Sequence, residues 1–522
     1  MIKNKKETLM YSILSFIFMI FIIVIRYPDL LLQPRFWAEE AFYFETFYSL
    51  EHWWQSFNIL IYPAYYLFLS RLAPSLATLF PVEQAAFVTS LFGLVALSIP
   101  LVIIFFTDSY YWRSIKSKLL IAVLYIVCST TGEVWLTSTN IGFIVPVFMF
   151  LILIDDNLES LGKRFFYYLL VFIGAISGPI AMIMAPFFFI KYFISRNRIF
   201  GHYCMALLFA AILQMTYFLT ANYFGVIAEN RLDLSTWDYT TSLGNLIAYN
   251  FIFPLFGYFN SLIFREYIAL FALGLDIENI LSVLNISTDS APAVLINVLE
   301  ALSAITFPFL CILFLTIAFV IYKVFKLAKL DKQIYFIGLY IYLIFMLNGL
   351  SLGALGGFRY SLITSFILLF YLHTILIDFP NKKNYLVKSL LSISLFFGIV
   401  EYYPRIHSYV PHTFVAQKIE WPIWSNEIKI WKSDSSYLPK AWPYLKNKDL
   451  IYPDRKNNEA NIVCIDLNNP NNWERMGSRR FTSSFSQMLI SGINESRYRK
   501  IIHYDNCGGN IIVNGEQESL KQ

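Results

Sequence analysis

Long apolar runs recur along the chain, and nothing constrains its folding more. They lie near residues 10–25, 84–106, 118–131, 139–154, 165–195, 203–223, 300–325, 333–348, 361–379 and 385–400. A stretch of about 20 apolar residues spans the hydrocarbon core of a bilayer as a helix. In lipid the backbone must satisfy its own hydrogen bonds, so helices are the form such runs take. Composition agrees: 57% of the 522 residues are hydrophobic and only 14% are charged, with a mean hydropathy of +0.56. Soluble domains carry roughly 25% charge. The 50 Phe and 35 Tyr suit aromatic belts at the two interfaces.

The 165–195 run is too long for one span and breaks at Ser177-Gly178-Pro179, which predicts two short helices. The stretch 58–80 is apolar but interrupted by Pro63, Arg71 and Pro74, and reads as interfacial or re-entrant. The stretch 243–270 is left as an external interfacial segment. The N-terminus MIKNKKETLM is basic and no small-residue cleavage site follows the first run, so an uncleaved first span with its N-terminus inside is expected. The basic loops YYWRSIKSK, DDNLESLGKRF, ISRNR, KVFKLAKLDK and NKKN then fall on the cytoplasmic side. About eleven spans result, and residues 1–400 form a helical polytopic domain whose first external loop covers 26–83. Beyond Val400 the chain is rich in Asn, Lys, Asp and Ser. Short strand-like runs there (ANIVCIDL, RKIIHYD, NIIVNG) predict a small α/β extracytoplasmic domain over 401–522.

The net charge of +5 sits mainly in short loops and gives no argument for nucleic acid. The five cysteines form no C-x-x-C or Cys/His cluster, so no metal site is assigned. Cys464 and Cys507, the cysteines of the tail, are expected to pair in an oxidising space outside the cytoplasm.

Under this topology unusual polar groups gather at the outer ends of the spans. The first external loop contains QPRFWAEEAFYF, with Glu39 and Glu40 inside an aromatic stretch, and Asp29 and Arg35 nearby. GEVWLTSTN places Glu133 and Asn140 in the next external turn, and NGLSLGALGGFRYS brings Arg359 and Tyr360 to the outer end of a late span. Glycines before an Arg-Tyr pair permit close backbone approach, and a guanidinium forks onto a phosphate. Carboxylates on one wall and a guanidinium on another suit a reaction that deprotonates an acceptor while holding an anionic leaving group. Each residue also has a plainer reading: loop charges for Glu39, Glu40 and Asp29, a helix cap for Glu133, headgroup contacts for Arg35 and Arg359, and a belt residue for Tyr360.

PRFWAEE after the first span resembles the acidic pair of the multi-span GT-C glycosyltransferases, which often reads P-x-x-V-F-D-E. Glu39 falls at the Asp position and Glu40 at the Glu position. The resemblance covers about the first 400 residues and includes interfacial helices in the first loop, short turns, a late Arg-Tyr pair and an external tail. It implies a transferase in a bacterial cytoplasmic membrane that moves a sugar from a polyprenyl phosphate to a cell-surface glycan or lipid-linked acceptor, with inversion. It implies Glu39 or Glu40 as base, with Arg359, Tyr360, Glu133, Asp29, Arg35 and Asn140 binding substrate. No cofactor is required by the pattern, and a divalent metal stays open. The tail has no W-W-D-type signature, which argues against an oligosaccharyltransferase. Three rivals are a flippase of lipid-linked saccharides, a polysaccharide polymerase and a membrane scaffold. A flippase would distribute charges through its spans, and a polymerase typically carries arginine-rich external loops.

Overall fold

The computed structural model describes residues 2–223 apart from 38, 61–64 and 159, then 244–264 apart from 259, 262 and 263. It also describes 338–347 apart from 345, then 358–378, 384–402, 422–445 and the short strands 460–464, 479–480, 502–504, 510–513 and 516–519. These residues are mostly helical, with little sheet. Four stretches are long and apolar enough to cross a membrane: Lys6–Arg26, Val82–Phe106, Arg198–Ala221 and Phe358–Ile377, of 21, 25, 24 and 20 residues. The expectation of about eleven spans thus has four full-length counterparts among the described residues. Ile141–Ile154, Pro179–Ser195, Gly244–Phe256 and Tyr385–Val400 are apolar helices of fewer than 18 residues. The expected span at 300–325 lies outside the described residues.

Contacts divide the chain into a first unit (1–123, 130–231 and 403–522) and a second (124–129 and 232–402). In the first unit the helices run α1 (Ile2–Arg26), α2 (Asp29–Leu32), α3 (Glu39–Tyr48), α4 (Phe68–Ala77), α5 (Ala85–Phe106), α6 (Ile115–Val123), α7 (Ile141–Ile154), α8 (Leu161–Ala175), α9 (Pro179–Met182), α10 (Ala185–Ser195) and α11 (Arg198–Tyr223). The 165–195 run breaks where expected. Gly178 at φ +136° ends the turn between α8 and α9, a conformation that favours glycine. At the turn from α7 to α8, Asp155 is fully buried. Its carboxylate pairs with Lys163 at 2.7 Å and accepts from the Tyr167 hydroxyl at 2.7 Å. Part of the charge of the DDNLESLGKRF loop is therefore neutralised inside the protein.

Helix α4 departs from the reading of 58–80 as an interrupted segment, because it continues through both Arg71 and Pro74. Proline removes one backbone donor and normally breaks a helix interior. Here Pro74 lies in the last turn and is buried, and the Ser75 hydroxyl donates to the Arg71 carbonyl at 2.6 Å.

Late in the chain comes α15 (Trp424–Ser433), which joins the first unit. Trp424 Nε1 donates to the Val82 carbonyl at 2.7 Å, and the Trp424 ring meets Phe36 edge-on at 4.8 Å. Phe36, Phe44, Ala77, Val82, Ala85, Ile428 and Ala441 complete a buried cluster around it. Strand β1 (Ile59–Leu60) pairs antiparallel with β4 (Arg479–Arg480), and β2 (Lys440–Leu445) with β3 (Ala460–Cys464). β5 (Ile502–Tyr504), β6 (Asn510–Val513) and β7 (Glu516–Ser519) form an antiparallel sheet in that order. The proposed partner Cys507, and the side chain of Cys464, lie outside the described residues.

In the second unit, α13 (Leu362–Asp378) and α14 (Tyr385–Val400) pack against a π-helical turn, Leu124–Ser129. Helix α12 (Phe253–Phe256) ends at Gly257, whose φ is +86°. A Cβ there would fall on the carboxylate of buried Glu401, which accepts the Tyr258 N–H. The 243–270 stretch is therefore in part a packed helix, where the sequence suggested an interfacial segment.

Candidate functional site

The aromatic residues around the acidic pair form a core. Phe36 and Phe44 stack at 5.2 Å, Tyr43 and Phe47 at 6.2 Å, and all four are buried. This packing turns α3 so that Glu40 faces inward at 1% exposure. Its Oε2 accepts the Trp37 N–H at 2.8 Å while its own N–H donates to the Trp37 carbonyl at 2.9 Å. Such a backward reach of a carboxylate satisfies donors left over at a helix start. Oε1 accepts the N–H of Ser138, on a loop remote in sequence. No Lys or Arg lies within ion-pair distance of Glu40 among the described residues. Burial raises its carboxyl from 4.5 to about 7, although the N–H groups of Trp37, Ser138 and Thr139 pull the other way.

The loop that supplies Ser138 runs from Thr130 to Asn140 and is buried along most of its length. Several features hold its shape. The Asn140 side chain and the Thr137 hydroxyl both donate to the Glu133 carbonyl, at 2.6 and 2.9 Å. Leu136 adopts φ +53°, an unusual left-handed conformation for a non-glycine residue. Gly93 of α5 allows the loop to lie directly on the helix, since a Cβ there would come 2.4 Å from the Leu136 carbonyl carbon. Ser70 of α4 donates to the Thr139 carbonyl at 3.1 Å, and Arg26 closes the other end. Its guanidinium stands 4.3 Å over the Trp135 ring and donates to Thr130 Oγ1 at 3.3 Å. Arg26, Glu40 and Glu133 are each at most 3% exposed and all belong to this loop's surroundings.

The other expected site residues fall differently. Asn140 is buried and committed to the loop backbone, so the structure gives it an architectural place. Arg35 donates to the Tyr27 hydroxyl at 3.0 Å and lies over that ring, while Asp29 is exposed at the start of α2. The side chain of Glu39 lies outside the described residues. Arg359 and Tyr360 belong to the second unit, in a 3-10 turn (Phe358–Ser361), with the guanidinium 5.5 Å from the neighbouring ring. The glycines before them lie outside the described residues.

Arg71, which the sequence suggested only as an interruption of the 58–80 stretch, is a buried charged group. It is 1% exposed in α4, with the Ile59 carbonyl at 2.8 Å, the Tyr217 hydroxyl as a second acceptor, and the rings of Tyr66 and Tyr217 each at 5.0 Å. No carboxylate lies within ion-pair distance of it among the described residues. An arginine amid apolar residues was the available signal. Among the described residues no three His, Cys, Asp or Glu side chains gather as a metal site.

Comparison of the chain with protein-family models, with curated proteins and with solved structures returned no match.

Proposed function

We propose that the protein is a membrane glycosyltransferase of GT-C type, taking a polyprenyl-phosphate sugar as donor and a cell-surface glycan or lipid-linked saccharide as acceptor. The observation that supports this most is the burial of Glu40 at the start of α3, inside an aromatic core and with no cation in ion-pair reach among the described residues. Glu40 is buried and holds backbone donors of α3 and of the Thr130–Asn140 loop. Glu39 is assigned as the base on its place in the sequence resemblance, with Glu40 as its positioning residue.

In the reaction, Glu39 accepts the proton of the acceptor hydroxyl as that oxygen attacks the anomeric carbon. The bond from that carbon to the phosphate oxygen breaks, and polyprenyl phosphate leaves with the electron pair, so configuration inverts. Arg359 is assigned to the departing phosphate on its sequence context. Glu133 is assigned to substrate binding, from its buried place in the Thr130–Asn140 loop.

The test uses the protein in nanodiscs with labelled polyprenyl-phosphate sugar and a membrane extract as acceptor, and reads lipid-phosphate release. Wild type should release it, and Glu39→Gln should not, with an unchanged melting temperature. Full release by Glu39→Gln would remove the base from this mechanism. A flippase would move the labelled lipid across the bilayer without release.

A further inference from the structure

The apolar stretches Val82–Phe106 and Arg198–Ala221 stop at a common end of the first unit, and side-chain contacts tie that end together. The Tyr167 hydroxyl lies 3.3 Å from Thr107 Oγ1 and donates to Asp155 at 2.7 Å. Lys163 Nζ donates to the carbonyls of Asp108 and Asn157 at 3.1 and 2.6 Å. Lys191 of α10 pairs with Asp156 at 2.5 Å and stands 5.2 Å from the Phe200 ring of α11. Segments 107–118, 155–165 and 191–198 therefore lie together. A membrane helix leaves the hydrocarbon where its apolar run stops, so these segments lie at the level of the lipid headgroups.

Charge at this level does not cancel. Each described carboxylate in the three segments already has a lysine: Lys118 for Asp108 at 3.7 Å, Lys163 for Asp155 at 2.7 Å and Lys191 for Asp156 at 2.5 Å. Arg113, Lys116, Arg196 and Arg198 are exposed, and none has a carboxylate within ion-pair distance among the described residues. The same segments expose large apolar side chains. Leu161 and Ile194 are 77% and 76% exposed, Phe165 is exposed too, and the Arg196 guanidinium lies 6.0 Å from the exposed Phe193 ring.

We propose that this end of the first unit binds anionic phospholipid headgroups. The four cations meet the negative charge of the headgroup layer, and the apolar side chains settle at its acyl boundary. A zwitterionic headgroup brings its own cation and leaves the excess unanswered. Nucleic acid or an acidic protein would answer the charge but would offer Leu161 and Ile194 no apolar phase. The surface does not depend on the transferase reading.

The measurement is native mass spectrometry of the intact full chain released from detergent and titrated with phosphatidylglycerol or phosphatidylcholine. Phosphatidylglycerol should bind more tightly. Arg113→Gln with Lys116→Gln, and separately Arg196→Gln with Arg198→Gln, should each weaken it by about fivefold or more, the effect of one cation near an anionic surface. Neither pair should change phosphatidylcholine binding. Lys429 and Lys432 are exposed on α15, which meets Val82 at the opposite end of the α5 span, so Lys429→Gln with Lys432→Gln is the control and should keep the preference. Equal affinity for the two lipids, phosphatidylglycerol binding unchanged in both pairs, or an equal loss in the control would overturn the assignment. Binding of a short RNA or an acidic peptide that the same variants abolish, without any lipid preference, would give the surface to a soluble partner instead.

Discussion

Gly93→Ala should unfold the surroundings of Glu40 from a distance. The new methyl carbon would come 2.4 Å from the Leu136 carbonyl carbon, 2.6 Å from the Thr137 nitrogen and 2.8 Å from the Leu136 Cα. Ordinary contact begins near 3.4 Å, so the loop and α5 must separate by about 1 Å (3.4 − 2.4). All three obstacles are backbone, and Leu136 already has φ +53°, so no flexible side chain can yield. Overpacking of this kind costs about 1–3 kcal/mol, against a gain of about 0.5–1 kcal/mol from replacing glycine in a helix. With backbone atoms on all sides the cost lies at the upper end, and a net loss of up to about 2.5 kcal/mol follows. Gly142→Ala is the control: the nearest atom to its new Cβ is the Ser177 carbonyl oxygen at 3.7 Å, so only the helix gain remains. Thermal unfolding in detergent, followed with a thiol-reactive dye that reaches buried Cys128 and Cys204 as they open, should place Gly93→Ala below wild type. Gly142→Ala should lie at or above it. If Gly93→Ala melts with wild type, the loop does not rest on α5 as described.

Other outcomes follow from the same geometry. The Glu40 carboxyl titrates near 7 in the folded protein against 4.5 ordinarily, so the folded state holds an extra proton between those values. Stability linked to it is full below pH 4.5 and falls as pH rises through 7, by about 3 kcal/mol at most. Comparing melting at pH 5 and pH 8, Glu40→Gln should lose less than wild type; an equal loss would remove Glu40 as the cause. Arg359→Lys keeps charge but loses the fork, so donor binding should weaken more than acceptor binding, and donor affinity unchanged in Arg359→Ala would end the phosphate assignment. A cysteine added in the 401–522 tail should react with impermeant thiol reagents on intact cells, whereas one in 381–384 should not. The reverse labelling would invert the topology. Non-reducing peptide mapping should find Cys464 joined to Cys507, and two alkylatable thiols in oxidised protein would exclude the bond.

What could be read in advance was what a local window contains. Helices over 6–26, 82–106, 198–221 and 358–377 announce themselves by unbroken apolar length, and the break after α8 by Ser-Gly-Pro. The position of the acidic pair was legible too, but the burial of Glu40 was not. Glu40 is defined by Ser138, 98 residues away, and no periodicity around position 40 encodes that partner. Arg71 was misread for the same reason: a charge in an apolar run looks like an interruption until Tyr217, 146 residues on, supplies an acceptor. Asn140 stands out in the sequence because polar side chains near a span's end are rare, but its partner does not. Its amide is spent on the Glu133 carbonyl seven residues back.

The hydrogen bond from Trp424 to Val82 links positions 342 residues apart. During synthesis at about 5–20 residues per second, Val82 waits roughly 15–70 s for its partner to be made. Throughout that interval Phe36 and Phe44 lack the indole that covers them in the finished protein. The first loop, with the acidic pair at its centre, is thus among the earliest segments to emerge and among the last to be completed. A chain halted before Trp424 would leave the faces of Phe36 and Phe44 that meet the indole uncovered.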